Sequence, residues 1–374
     1  MRILDFVSIV FINYLSFGQT DGRSANANSI ELMSFNTGLT PRVDQYDVRR
    51  EKIGESIRDI QSDVVCLQEV WYSDDMVRII ESTSEMYPYS YSGVHSEVGE
   101  LTPMSILQSP CLSANFGQVM ACVMMNCNST GGTESYLTCA KERCDILQRL
   151  NQQCISCLIL SGMENIASRC LGSFGTDFNV PGLLLLSKRP LQNARTVMFQ
   201  PDRTLFLPRG YLSVEIDGLG TVACAHTTAN LGDPYFEDLS FNSWEDQNLE
   251  EARTLVNQLQ DVQNVVVMGD LNSSPAYPST GIQSDMPGFY EYLVSSGYRP
   301  SYMERVGTCT WCLYNPLAHA EHYLVLDHIF VKNIRVQYVR RVLDENIAGE
   351  SFPLSDHYGI VARVFSPRIP FTFF

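Results

Sequence analysis

Eight polar residues, Asn36, Glu69, His226, Asp270, Asn272, Asp327, Asp356 and His357, each stand close behind a short apolar run. Their types suggest one chemistry. A hard cation such as Mg²⁺ takes one or two carboxylates and completes its shell with water and phosphate oxygens, and Glu69 and Asp270 can supply those ligands. Phosphodiester hydrolysis also needs a base for water and donors for the charge that develops on phosphoryl oxygens. His357 can be the base, with a carboxylate to orient it, while His226, Asn36 and Asn272 can be donors. Taken singly, each has a plainer explanation. An Asp or Asn after a strand is usually a turn residue or helix cap, and a lone His is usually a satisfied hydrogen-bonding group. The combination carries the reading.

The elements that would position these residues are legible from hydrophobic pattern. Ile30–Phe35 reads as a strand, and Ile53, Ile57 and Ile60 mark one face of a helix. Continuous apolar runs at Val64–Leu67, Leu183–Leu186, Val222–Ala225, Val265–Met268 and Tyr323–Leu326 suit strands covered on both faces. Leu249, Ala252, Val256 and Leu259 predict a helix between His226 and Val265. Helices alternating with buried strands imply a layered α/β domain, and open α/β sheets place their sites at strand ends.

The chain has 374 residues, 45% of them hydrophobic, enough for a sizeable core. Its formal net charge of −16 repels polyanions at long range and counts against a nucleic-acid substrate, although a bound metal or local basic groove can override it. Met1-Arg2, the apolar run Ile3–Phe17, and small residues at Ser16 and Gly18 read as a signal peptide over residues 1–18. Export agrees with twelve cysteines. Eight of them, Cys111, Cys122, Cys127, Cys139, Cys144, Cys154, Cys157 and Cys170, crowd one stretch that reads as a disulfide-stapled insertion over residues 108–175, helical around Cys144–Leu160. Their pairing is open. The sequon Asn128-Ser129-Thr130 lies inside that stretch.

Six blocks, in order, resemble the signatures of the endonuclease/exonuclease/phosphatase superfamily, which has the DNase I-like fold. They are Ser34-Phe35-Asn36-Thr37, Val65-Cys66-Leu67-Gln68-Glu69-Val70-Trp71, Ala225-His226-Thr227, Met268-Gly269-Asp270-Leu271-Asn272-Ser273, Leu326-Asp327-His328-Ile329-Phe330 and Leu354-Ser355-Asp356-His357-Tyr358. The resemblance implies a four-layer α/β/β/α sandwich over residues 29–366, interrupted by the insertion. It also implies roles: Glu69, Asn36 and Asp356 for Mg²⁺ (Mn²⁺ or Ca²⁺ as alternatives), Asp270 for water or a second metal, and Asn272 for the phosphate. His357 would be the base, oriented by Asp327, and His226 would donate to the phosphate or protonate the leaving oxygen. His328 and Gly359 depart from the family's usual Tyr and Pro.

Glu69-Val70-Trp71, and Thr310-Trp311 with Asn315-Pro316-Leu317, resemble the sphingomyelinase branch. They imply a secreted phosphodiesterase whose partner is a phospholipid at a membrane surface. A DNase I-like endonuclease acting on nucleic acid is the alternative, and a non-catalytic binding or toxin-like protein the second. A phosphoinositide phosphatase is disfavoured by the lack of a basic cluster, and no protein partner is readable.

Other features weigh less. Cys309-x-x-Cys312 with His319-x-x-His322 has too short a gap for a zinc finger, so a disulfide between Cys309 and Cys312, or a link to the insertion, is expected there, and Cys154-x-x-Cys157 is likewise read as disulfide-forming. Cys66 and Cys224, within core strands, could pair if those strands are neighbours, but small buried hydrophobes are the more common case. The formal sequon Asn272-Ser273-Ser274 is expected to stay unmodified. Pro234-Tyr235-Phe236 and Phe371–Phe374 are expected to pack against the domain rather than meet a membrane.

Overall fold

Val64–Leu67 is apolar throughout because both of its faces are covered. In the computed structural model, which describes residues 29–101, 109–113, 115–127, 132–161, 165–171, 178–232, 235 and 240–365, Val65 and Leu67 pack outward against Ile53 and Ile57 of a helix. Val64 and Cys66 point inward, into a core shared with Val222, Cys224, Val266 and Met268 of a second sheet. On that sheet's outer face, Ala223, Ala225, Val265 and Val267 meet Ala252, Leu255 and Phe289. Side chains alternate along a strand, so the three clusters separate four layers in the order helix, sheet, sheet, helix.

The first half of the chain runs β1 (Ser29–Leu39), α1 (Tyr46–Ile60), β2 (Val64–Val70), α2 (Ser73–Thr83), β3 (Tyr89–Ser92) and the small hairpin β4 (His95–Glu97) and β5 (Glu100–Leu101). The insertion follows with α3 (Phe116–Asn126), α4 (Gly132–Cys144), α5 (Ile146–Arg149) and α6 (Gln152–Ser161). Then come β6 (Leu184–Ser187), β7 (Leu191–Met198), β8 (Gly210–Ile216), β9 (Gly220–His226), α7 (Trp244–Gln258), β10 (Val265–Asp270), α8 (Gly288–Ser295), β11 (Arg299–Pro300), α9 (Ser301–Arg305), β12 (Asp327–Lys332), β13 (Arg335–Val342) and β14 (Gly359–Phe365). One sheet has the order β13-β14-β1-β2-β6-β3, the other β11-β12-β10-β9-β8-β7.

Strand direction decides where the site forms. β1 is parallel to β2, and β9 to β10, so both pairs finish at one edge of the sandwich. β12 and β14 run antiparallel to β10 and β1 and therefore start at that same edge. This corrects one expectation: Tyr323–Leu326 is not a strand of the sheet. It is an approach segment, bridged to Trp311 through Leu324, and the strand begins only at Asp327. Leu184–Leu186 lies in a strand, but β6 is antiparallel to β2, so its polar end, Ser187, lies at the far edge.

All twelve cysteines are paired. The eight of the insertion pair among themselves, Cys111–Cys154, Cys122–Cys144, Cys127–Cys139 and Cys157–Cys170. Cys309–Cys312 closes a short loop as expected, and His319 and His322 are exposed beyond it. Of the two alternatives for Cys66 and Cys224, the less favoured holds: they form a disulfide rather than packing as free thiols. Sequence spacing could not show that two strands of different sheets face each other. The segment 1–18, Asn128-Ser129-Thr130, Pro234, Phe236 and Phe371–Phe374 lie outside the described residues. Tyr235 packs edge-on against Trp244 and donates to Gln247 Oε1. No helix among the described residues is long and apolar enough to cross a membrane.

Candidate active site

Strand pairing builds half of the site. Asp270 is in register with His226 on one side and Asp327 on the other, so three adjacent strands present these groups in one buried row. From the facing sheet come Asn36 and Glu69, near the ends of β1 and β2. The turn into β14 brings Asp356 and His357. All eight sequence candidates therefore meet at one edge, though not all of them touch.

Hydrogen bonds fix the arrangement. Asn36 Nδ2 donates to Asp270 Oδ2 at 2.8 Å and lies 3.2 Å from Glu69 Oε1, while its Oδ1 accepts from Gly38 N. His357 Nδ1 lies 2.9 Å from Asp327 Oδ2, and its Nε2 faces Asp270 Oδ2 at 3.7 Å. His226 Nε2 is 3.5 Å from Asp270 Oδ2 and 4.0 Å from Glu69 Oε1. Asn272 spends one amide N–H on the Thr227 carbonyl, and its backbone N–H donates to Asp270 Oδ1. The buried Asn272 side chain is thus held from within. Glu69 and Asn272 both have positive φ, 58° and 45°. That backbone is uncommon for non-glycine residues, although eight others among the described residues, such as Gln61 and Asn333, share it.

Burial and neighbouring charge set the protonation states. Burial raises the Glu69 carboxyl and the Asp356 charge raises it further, against Arg209 and His357, which lower it. Burial and Asp327 raise Asp270, against His357 and Asn36. Burial alone would lower His357, but Asp327, Asp270 and Asp356 push it up to about 10. His226 falls well below its usual value through burial, Arg209 and His357. A neutral His226 can donate a hydrogen bond but is a poor proton donor at neutral pH, which favours the first of the two roles anticipated for it.

The donor set fits a hard divalent cation. Two carboxylates, Glu69 and Asp356, oppose each other's charge, and a cation there relieves the repulsion. A second cluster, Asp270, Asp327 and His357, offers ligand atoms within 4.8 Å of one another. Both clusters are candidate metal seats.

Sequence reading missed two arginines. Arg209 is buried at the start of β8, with Nη1 2.7 Å from His226 Nδ1 and 2.9 Å from Nε2. Its signal was a lone cation in the otherwise apolar Leu205-Phe206-Leu207-Pro208-Arg209-Gly210. Arg49 is fully buried on α1, on the same helical face as Ile53, and donates to the carbonyls of Thr37, Gly38 and Leu354. It ties the end of β1 to the turn carrying Asp356. On α7, Asn248 donates to the carbonyls of Thr228 and Leu271, fastening the ends of β9 and β10 together.

The insertion buttresses this edge. Thr40 donates to the Leu160 carbonyl, Tyr72 Oη meets Ser161 Oγ, and Gln152 exchanges hydrogen bonds with Leu205. These contacts fall on the loops after β1 and β2 and on the approach to β8. On the His357 side, Trp311 lies against the imidazole with ring centroids 4.8 Å apart.

Residues 24–357 match the model of the Endonuclease/Exonuclease/phosphatase family. Among curated proteins, none matches the chain. Solved structures share its fold. An endonuclease/exonuclease/phosphatase from Beutenbergia cavernae DSM 12333 is 15% identical, with a TM-score of 0.54 over 92% of this chain and 73% of that one. Sphingomyelinase C from Streptomyces griseocarneus is 14% identical, with a TM-score of 0.51 over 90% and 99%.

Proposed function

The chain belongs to the endonuclease/exonuclease/phosphatase family, and on that premise we propose that it is a secreted, Mg²⁺-dependent phosphodiesterase acting on the headgroup diester of a phospholipid, as a sphingomyelinase C does. The observation that carries the reading is the row His226–Asp270–Asp327 facing Asn36 and Glu69 across the gap between the sheets. Glu69, with Asn36 and Asp356, would hold the cation. When bound, Mg²⁺ supplies positive charge for the phosphoryl oxygens and lowers the proton affinity of groups around it; Mn²⁺ and Ca²⁺ are the alternatives.

The chain's own groups divide the remaining work. Asp327 fixes the His357 ring through Nδ1, leaving Nε2 to take a proton from water held near Asp270. His357 must be neutral to do so, and added positive charge at Glu69 and Asp356 moves it that way. Neutral His226 donates to a phosphoryl or leaving oxygen, with Arg209 behind it adding positive charge. Asn272, held by Thr227 and Asp270, contributes its remaining amide group to the phosphate.

For the substrate, three observations support a zwitterionic headgroup: the net charge of −16, the half-buried Trp311 beside His357, and the exposed Leu313 and Tyr314 just after the disulfide-closed loop that carries Trp311. Twelve cysteines in six disulfides support export, because such density does not persist in a reducing compartment.

The test is hydrolysis of sphingomyelin vesicles and of plasmid DNA, each with Mg²⁺ and with EDTA. EDTA-sensitive release of phosphocholine is the expected result. Cleavage of DNA alone would replace the substrate class, and silence on both, with no metal bound, would favour a binding protein on this scaffold.

A further inference from the structure

Asp327 and His357 meet at 2.9 Å although they belong to different sheets. Asp327 opens β12 in one sheet, and His357 stands just ahead of β14 in the other. Thr310, which is fully buried, is bonded to the backbone on both sides of that gap. Its hydroxyl oxygen accepts from Leu326 N at 3.1 Å and from Asp327 N at 3.2 Å. Its carbonyl accepts from Tyr358 N at 2.9 Å. Asn315, also buried, holds the same turn: its amide nitrogen donates to the Ser355 carbonyl at 2.9 Å and to the Asp356 carbonyl at 3.0 Å.

These two residues lie on one short strap, and the strap is itself anchored. The Cys309–Cys312 disulfide closes its start. Trp311 pairs with Leu324 through both its N–H and its carbonyl, and its ring lies against His357. Arg341 of β13 donates to the Cys309 carbonyl and to Tyr314 Oη, each at 2.9 Å, and Asn315 Oδ1 accepts from Leu317 N. A buried N–H left without an acceptor costs about 1–3 kcal/mol. Loss of the Thr310 hydroxyl would strand two of them, at Leu326 and Asp327, and favour a shift of that backbone. Displacement of reacting groups by about 1 Å can cost about 10²-fold in rate.

We infer that residues 309–315 are a positioning strap for the base. Thr310 and Asn315 set the start of β12 against the turn before β14, so that Asp327 reaches His357 Nδ1 while Nε2 faces Asp270. Both are positioning residues, acting through the groups they hold. The inference rests on the proposed role of His357 as the base. It gives the strap a part in proton transfer, beyond the support its aromatic residues lend to the choice of substrate.

Full-length Thr310→Val, Thr310→Ser and Asn315→Ala test it, with Tyr302→Phe as the control for simple loss of a buried hydrogen bond. Tyr302 Oη bonds the Thr308 carbonyl and hydroxyl just before the strap, a contact that involves neither Asp327 nor His357. Each protein is melted in EDTA and assayed with MgCl₂ on bis(p-nitrophenyl) phosphate, a small diester that favours no substrate class. Thr310→Val and Asn315→Ala should lose roughly tenfold or more in kcat, with KM little changed, because the groups displaced act in the transition state. Thr310→Ser keeps the acceptor and should recover most of the loss. Tyr302→Phe should melt lower and keep the wild-type kcat. The inference is overturned by wild-type kcat in either folded variant, by no recovery in Thr310→Ser, or by equal loss in the control. If Thr310→Val does not fold, Asn315→Ala decides on the same readout, and failure of both to fold overturns a role specific to catalysis. A wild type that hydrolyses no diester removes the phosphodiesterase reading itself, which is a separate outcome.

Discussion

Asn36 and Asp270, 234 residues apart, join the two sheets through a buried 2.8 Å hydrogen bond. The same amide nitrogen lies within bonding distance of Glu69, so one neutral donor separates two carboxylates that would otherwise face each other. Asn36→Ala removes that donor and leaves Asp270 buried with less compensation, at a cost of about 1–3 kcal/mol. Asn36→Asp should cost more, because it adds a third carboxylate. Urea unfolding in EDTA checks both, and equal stabilities for the two variants would contradict the bridging role.

The Asp327–His357 pair makes a pH prediction whose sign follows from the imidazole. Burial opposes its charge, but Asp327, Asp270 and Asp356 raise it to about 10. A histidine raised in the folded state adds stability that is complete below about pH 6.5 and lost as pH climbs through about 10. EDTA-treated wild type should therefore lose part of its unfolding free energy between pH 7 and 10. Asp327→Asn should flatten that interval and cut hydrolysis sharply, since the ring loses its orienting partner. An unchanged slope in the variant would separate His357 from Asp327.

Much of this was readable from sequence. Continuous apolar runs gave the two-sided burial of β2, β9 and β10, and polar residues at their ends gave the site. What could not be read was strand direction and sheet partnership. Tyr323–Leu326 resembles the buried runs, yet it only approaches a strand, because β12 enters from the catalytic edge with Asp327 first. For Cys66 and Cys224 core filling was favoured over pairing because nothing in one dimension says that β2 and β9 face each other. Arg209 and Arg49 were missed for a related reason. A buried arginine is identified by the carbonyls and rings around it, and those come from remote segments.

Glu69 illustrates a conflict between stability and function. Burial and Asp356 both raise its carboxyl, so ionising it costs folded-state stability that is absent at acid pH and grows as pH rises past the ordinary carboxylate range. Glu69→Gln should stabilise the EDTA-treated protein at neutral pH by about 1 kcal/mol, a size common when a functional-site conflict is relieved. It should at the same time abolish the Mg²⁺ dependence of hydrolysis. A drop in Tm, or a rate still responsive to Mg²⁺, would remove Glu69 from the metal seat.

Gly38 offers a way to disturb Asp356 without altering any charged group. Its φ of 51° is left-handed, and a Cβ there would run into Asp356 Oδ1 and crowd Ser355 Oγ. Asp356 can approach the end of β1 only because that position carries no side chain, while Arg49 holds the Gly38 carbonyl in place from below. Gly38→Ala therefore has two effects. Backbone strain costs about 1 kcal/mol, which a thermal melt in EDTA reads. Displacement of the carboxylate weakens Mg²⁺ binding, which calorimetry reads independently of turnover. A Gly38→Ala protein that melts lower but binds Mg²⁺ as tightly as wild type would mean that Asp356 does not share the cation with Glu69, and the metal seat would then lie nearer the Asp270 side.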